Sequence, residues 1–335
     1  MVHFRCAPDY VQNGTVPRHG HFTLAFSHPI RIHSMASITL QPGRSELRRM
    51  IDMARTANRP AGPAPSLAGK TTIITGATSG FGLAAAHLFA TLGLSKLILG
   101  VRSVERGEGA AASIRKANPN IEIGVWQLDM LDYRSVQSFA KRCETLASID
   151  MAILNAGIYK LDFARVAVTG HEETLQVNYL STALLAILLL PILRRKHAQA
   201  SPGRLTIVGS ALGLTSKFPE RDTVPLLPAL DAEWAGIAAA SERYAVSKTL
   251  IFLLVLKLSQ LASPDDVVVN VVEPGFSGST NFSTGVGGAL KLVLRVMHLL
   301  IGRTAEQGAW TYVDAAVTRG EETHGCFLNN WEIYP

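Results

Sequence analysis

The chain reads as an α/β protein, a single doubly wound parallel sheet of about seven strands with helices on both faces. Three observations predict this. From residue 69 onward, short apolar runs rich in β-branched residues alternate with longer stretches of helical period, the pattern of parallel strands buried on both faces and joined by right-handed crossovers. Between the first such strand and the first helix lies Gly76-Ala77-Thr78-Ser79-Gly80-Phe81-Gly82. A strand, a glycine-rich turn and a helix in succession bring backbone N–H groups and a helix N-terminus to one point, where a pyrophosphate binds well. Finally, 47% hydrophobic residues and 28 glycines in 335 residues describe a chain with a large core.

Taken in order, residues 1–68 form an N-terminal extension and residues 69–335 the folded domain. The extension mixes Pro, Gly, His and Arg, allows a short helix at Ser45–Thr56, and ends in the linker-like Arg59-Pro60-Ala61-Gly62-Pro63-Ala64-Pro65. Its Arg-rich, acid-poor composition allows three readings: a disordered tail, a weak organelle-targeting segment, or upstream sequence ahead of a true start at Met35. In the domain, strands are expected at Thr71–Thr75, Lys96–Val101, Ile121–Gln127, Asp150–Leu154, Arg204–Gly209 and Val267–Val272. Helices are expected at Leu83–Leu92, Val104–Ala117, Tyr133–Leu146, Glu172–Arg195, Tyr244–Leu261 and Ala305–Val317. The apolar run Leu180–Leu193 is shorter than the roughly 20 residues of a membrane span. It is expected as a buried helix, or as part of a homodimer interface.

The net charge of +6 divides unevenly. Residues 1–69 carry eight arginines against three acids, and the remainder has 24 basic against 23 acidic residues. A near-neutral body argues against a nucleic-acid-binding protein. The cysteines, Cys6, Cys143 and Cys326, are odd in number and lack metal-ligand spacing, which suits reduced thiols and a cytoplasmic location.

Within Ser241-Glu242-Arg243-Tyr244-Ala245-Val246-Ser247-Lys248, a phenol and an ammonium stand one helical turn apart. A lysine held beside a tyrosine favours the phenolate, and such a tyrosine exchanges protons with an alcohol or ketone. With this pair in place the chain resembles the short-chain dehydrogenase/reductase family over roughly residues 69–333. The resemblance is closer to fungal members associated with secondary metabolism, and more distant to retinol-dehydrogenase-like enzymes. It rests on Thr75-Gly76-x-x-x-Gly80-x-Gly82, Asp129, Asn155-Ala156-Gly157, Asn178, Ser210, Tyr244, Lys248 and Pro274-Gly275, in that order. The segments Gly302–Gly308 and His324–Ile333 carry the finer likeness.

That resemblance implies a Rossmann-type domain and a catalytic set of Asn178, Ser210, Tyr244 and Lys248. It implies cofactor contacts from Thr75, Gly76, Ser79, Gly80, Phe81, Gly82, Asp129, Asn155, Ala156, Gly157, Pro274 and Gly275, as well as Tyr244 and Lys248. Ser210 would polarise the substrate oxygen and Tyr244 would move the proton. Lys248 would lower the tyrosine pKa and bond the nicotinamide ribose, and Asn178 would link Lys248 to solvent through a water. At the end of the second strand, where NAD-preferring members carry an acid, this chain has Arg102 and Ser103. A guanidinium fork suits a 2′-phosphate, so the expected cofactor is NADP(H).

Two segments concern the substrate. Ser210 and Tyr244 are 34 positions apart, more than in compact family members, and the insert Leu212–Ala240 is expected as an apolar wall or lid. The segment Thr280–Ile301 falls at the family's substrate loop. Its apolar residues, interspersed with Lys291, Arg295, His298 and the nearby Arg303, allow peripheral membrane contact through 286–301. The expected activity is interconversion of a carbonyl and an alcohol on a hydrophobic small molecule. A dehydratase, isomerase or epimerase on the same fold, and a non-catalytic NADP-binding regulator, remain alternatives. The substrate and the direction of turnover are not legible.

Overall fold

A computed structural model of the chain describes residues 65–196, 201–275 and 302–334. The expected extension up to residue 64, with its helix at Ser45–Thr56, lies outside the described residues, as does the segment 286–301.

Eight strands form one sheet: β1 (Thr71–Thr75), β2 (Lys96–Val101), β3 (Glu122–Gln127), β4 (Met151–Leu154), β5 (Gly203–Val208), β6 (Val267–Val272), β7 (Phe327–Asn329) and β8 (Glu332–Tyr334). Their order is β3-β2-β1-β4-β5-β6-β7-β8, and every pairing is parallel except β7 with β8. The helices are α1 (Gly80–Thr91), α2 (Val104–Ala117), α3 (Tyr133–Cys143), α4 (Thr182–Lys196), α5 (Leu226–Leu230), α6 (Ile237–Ser259) and α7 (Ala305–Val313).

Successive strand residues face opposite layers, and each face is sealed by three helices. Ile73 and Ile98 pack with Phe139 of α3, Leu189 of α4 and Ile251 of α6. Ile74 and Leu99 pack with Phe89 of α1, Ile114 of α2 and Tyr312 of α7. Every residue of β1 and β6 is buried, which is why these strands are rich in β-branched residues on both faces rather than alternating apolar with exposed polar positions. The segment Glu173–Arg195 is apolar and long enough to cross a membrane, yet most of it is buried within the protein, as expected of a core helix.

Several boundaries depart from the sequence expectation. The eighth strand is an addition: Asn330 and Trp331 adopt φ of 55° and 69°, making a two-residue turn that folds β8 back on β7. The turn lacks the usual glycine and so left no signal. Helix α6 starts at Ile237, not Tyr244, because Ala238–Ala240 are strong helix formers and Gly236 breaks the chain before them at φ 86°. The expected helix from Glu172 is instead a short α-turn, Glu173–Leu175, then a π-helical segment, Gln176–Ser181, then α4.

β1 has β2 on one side and β4 on the other, so the chain reverses its direction of growth between β1 and β4. In open α/β sheets the crevice at the carboxyl ends of the strands beside such a reversal is where ligands bind.

Candidate active site

The crevice is a cavity of about 500 Å³ whose floor is the glycine turn. Gly76 and Gly80 take φ of 69° and 55°, left-handed values that glycine adopts without strain. Packing imposes a further demand. A Cβ on Gly76 would lie 2.9 Å from Ala156 Cα, and one on Gly82 would lie 2.5 Å from Asn155 Nδ2 and 2.6 Å from the Gly76 carbonyl oxygen. Asn155 braces this floor. Its backbone N–H and that of Ala156 both donate to Thr75 Oγ1 at 3.0 Å, its Nδ2 donates to the Thr75 carbonyl at 2.9 Å, and its Oδ1 accepts from the Tyr312 hydroxyl at 2.7 Å. Thr75 is thus buried beneath the cavity, while Ser79, Phe81, Ala156 and Gly157 line it with the three glycines.

At the far end the lining includes Arg102, Ser103, Arg106 and Asp129. Arg102 is exposed at the end of β2, where a guanidinium can meet an anion. Ser103 caps α2 by accepting from the Arg106 N–H at 3.2 Å, which sets both arginines on the same rim. Asp129 accepts from the Leu131 N–H at 2.9 Å, so it shapes its own loop while facing the cavity.

The π-helical segment carries Asn178, which is 2% exposed. Its Oδ1 accepts from the Ile158 N–H at 2.8 Å, and its Nδ2 donates to the Ile158 carbonyl at 2.9 Å and to Ser247 Oγ at 3.1 Å. Asn178 therefore joins the loop after β4 to α6. Gly157 fits closely between the two: a Cβ there would lie 3.3 Å from Asn178 Oδ1 and 3.8 Å from Lys248 Nζ.

Ser210, Tyr244 and Lys248 come together where the segment after β5 meets the N-terminal half of α6. The 3₁₀ turn Ala211–Thr215 lies directly on α6. Gly213 permits this, since a Cβ there would be 2.9 Å from the Lys248 carbonyl carbon, and Thr249 Oγ1 donates to the Gly213 carbonyl at 2.6 Å. A side chain at Gly209 would run into Val271. Ser210 Oγ accepts from the Leu212 N–H at 3.3 Å, and its hydroxyl is hydrogen-bonded to Tyr244. Lys248 donates from Nζ to the Val208 carbonyl at 2.9 Å, with its ammonium 5.7 Å from the Tyr244 ring centre. Pro274 and Gly275 follow β6 at the same end of the sheet.

Burial governs the electrostatics. It brings the Lys248 ammonium down to about 8, against the opposing pull of the Glu273 carboxylate. It also holds the Tyr244 phenol above its usual range, with Glu273 adding to the rise and the Ser210 hydrogen bond opposing it. The expectation that Lys248 draws the phenol downward therefore does not describe the protein on its own, because desolvation of a buried phenolate is the dominant influence.

Four contributors escaped the sequence: Tyr159, Ser247, Glu273 and Tyr312. Tyr159 follows Asn155-Ala156-Gly157 by two positions, and Glu273 stands between the valine-rich β6 and Pro274; those adjacencies were the available signals. Arg303 also differs from expectation. It is 0% exposed and packs 5.6 Å from the Trp331 ring, so it lies inside the protein rather than on a membrane-facing surface.

The insert is structured and tied down. Glu242 Oε1 accepts from the N–H groups of Lys217 at 2.7 Å and Phe218 at 2.9 Å, Arg243 pairs with Glu220 at 2.9 Å, and Asp231 accepts from the Glu172 N–H at 2.9 Å. Leu230 is buried, whereas Leu212, Leu214 and Leu227 remain 50%, 36% and 38% exposed.

Residues 70–220 match the family model described as short chain dehydrogenase. The chain is 47% identical over 283 residues to "Short chain dehydrogenase/reductase mfmJ" of Annulohypoxylon moriforme, covering 83% of this chain and 81% of that protein. It is 41% identical to "Short chain dehydrogenase virL" of Hypocrea virens, covering 84% and 82%. Among solved structures, the "Pseudomonas aeruginosa RhlG/NADP active-site complex" has the same fold, with a TM-score of 0.60 at 22% identity over 80% of this chain and 97% of that one.

Proposed function

Because this chain belongs to the short-chain dehydrogenase family, we propose that it is an NADP(H)-dependent oxidoreductase interconverting a ketone or aldehyde with an alcohol on a hydrophobic small molecule. The observation that carries the proposal is the buried Tyr244 phenol, hydrogen-bonded to Ser210 and one turn from an anchored Lys248. Position and electrostatics are what a protein contributes to such chemistry.

The cavity suits a dinucleotide. The space that a Cβ would fill at Gly76 and Gly82 leaves the turn's backbone open to a pyrophosphate. Arg102 and Arg106, on the rim at the end of β2, offer charge to a 2′-phosphate, and the structural relative described as an NADP complex accords with that preference. A nicotinamide held by these residues would supply or take the hydride. Ser210 then donates to the substrate oxygen, and Tyr244 delivers its proton to that oxygen during reduction or removes it during oxidation. Lys248, anchored on the Val208 carbonyl, holds positive charge beside both and would bond the ribose hydroxyls of a bound cofactor. Asn178, through Ser247 and Ile158, keeps α6 and the loop after β4 in register around them. The exposed Leu212 and Leu214, immediately after Ser210, favour an apolar substrate. A place in secondary metabolism rests on the likeness in Glu242–Lys248 and Gly302–Gly308.

NADPH consumption measured against a panel of apolar ketones and aldehydes tests the proposal. Turnover that falls about 100-fold or more in Tyr244→Phe supports it, whereas near-normal turnover overturns the assignment. Product formed without net change in cofactor points instead to an isomerase or epimerase.

A further inference from the structure

One buried acid in this centre has no part in the chemistry described so far. Glu273 directly follows β6 and is 7% exposed, although the strand before it is six buried residues, five of them valine. The sheet register aligns Val208 of β5 with Val272 of β6, and the Gly209 N–H donates to the Val272 carbonyl at 2.9 Å. The ends of these two strands are therefore fixed side by side, and the Glu273 side chain reaches from one to the other. Its Oε2 accepts from the Ala211 N–H at 2.5 Å, the residue directly after Ser210. Its own N–H donates to the Leu328 carbonyl at 3.0 Å, which leaves the backbone of Glu273 little freedom.

The charged and titratable groups around this centre come from α6, the segment before α7, α7 itself and the loop after β4. Tyr244 and Lys248 face Glu273 from α6, with Lys248 Nζ donating to the Val208 carbonyl across the strand pair. Arg303 faces it from the segment before α7, held against Gly275, whose Cβ position lies 2.9 Å from Arg303 Cδ. Behind Tyr244 stand Tyr159 and Tyr312. A carboxylate in low dielectric acts on nearby buried cations far more strongly than it would in water.

We propose that Glu273 is a positioning residue of the proton-transfer centre, clamping the backbone that presents Ser210 and setting its negative charge across the aligned strand ends from the anchored Lys248. The inference rests on the oxidoreductase reading for its purpose, but its test needs neither substrate nor cofactor. Glu273→Gln keeps an acceptor for the Ala211 N–H and removes only the charge. Glu273→Asp keeps the charge and shortens the arm.

The measurement is the carbon-13 resonance of labelled lysine Cε as a function of pH in the full-length protein, with Lys248 assigned by the signal missing from Lys248→Met. In the wild type the midpoint is expected at about 8. In Glu273→Gln it should fall by about one pH unit, a tenfold change in proton affinity, while Glu273→Asp should stay nearer the wild type. An unchanged midpoint in the Gln variant overturns the proposal, since a purely structural brace would not move it. Should the Gln variant not fold, a midpoint in the Asp variant lowered by about one unit overturns it equally. Failure of the ketone panel with a normal Glu273 effect would count against the oxidoreductase reading alone.

Discussion

Tyr159 stands edge-on to Tyr244, their ring centres 5.2 Å apart and their planes inclined by 75°. The Tyr159 hydroxyl is hydrogen-bonded to Ser241 Oγ at 2.9 Å, one residue short of a full turn before Tyr244 on α6. The two contacts fix one face of the reactive ring. An aromatic pair of this geometry contributes about 0.5–1.5 kcal/mol beyond burial. Tyr159→Phe should therefore leave kcat within about twofold, while Tyr159→Ala should lower it roughly tenfold with a smaller effect on NADPH affinity. Single-turnover kinetics would check this, and equal rates in the two variants would remove Tyr159 from the positioning role.

Gly82 is the position where the cofactor turn tolerates least. Gly82→Ala places a methyl 2.5 Å from Asn155 Nδ2 and 2.6 Å from the Gly76 carbonyl, neither of which can retreat without breaking the brace between β1 and β4. Overpacking of this kind costs about 1–3 kcal/mol. Thermal unfolding should show the loss of stability, and fluorescence titration should show NADPH binding weakened by tenfold or more.

Arg102→Ala should raise the Kd for NADPH roughly ten- to 100-fold while leaving NADH nearly unchanged, because a charge-assisted hydrogen bond contributes about 1.5–3 kcal/mol. Arg106, on the same rim, should carry part of the same preference. Equal effects on the two cofactors would exclude recognition of the 2′-phosphate at this rim.

Lys248 links stability to pH. Its ammonium titrates at about 8 in the folded protein against an ordinary 10.5, so the unfolded chain binds more protons between those values. Stability should rise as the pH climbs through that window, and the full cost of burying the charge is present below it. Activity runs the opposite way, falling as the pH rises past about 8 and the ammonium is lost. Lys248→Met should abolish turnover while raising the neutral-pH stability by on the order of 1 kcal/mol, since the Val208 carbonyl loses its donor in exchange. A lower melting temperature in that variant would contradict this account.

Glu242 gathers Ser216, Lys217 and Phe218 onto one carboxylate oxygen and so fastens the insert beside α6. Glu242→Ala should raise KM for the best ketone of the panel several-fold and leave the NADPH Kd unaltered. If KM does not move, the insert is not part of the substrate wall.

Much of the fold was legible because its signals are local. The apolar runs at β2 and β6 and the helix at α2 match the expected limits residue for residue, since each is bounded by its own polar or capping residues. The start of α6 was misplaced because the residues before Tyr244 were assigned to the insert despite three consecutive alanines. Strand β8 was missed because its turn is held by Asn330 and Trp331 rather than by glycine.

The sequence by itself determined the α/β alternation, the glycine turn and the one-turn spacing of Tyr244 and Lys248, all of which are set by neighbours within a few residues. Only the tertiary structure decided that Ala211 would meet Glu273, 62 positions away, and that Tyr159 would meet Ser241, 82 positions away. It also decided that burial would lower the lysine and raise the tyrosine. Such pairings depend on which strand ends the sheet aligns, and desolvation depends on what the whole core covers; neither is encoded in the spacing of any one segment.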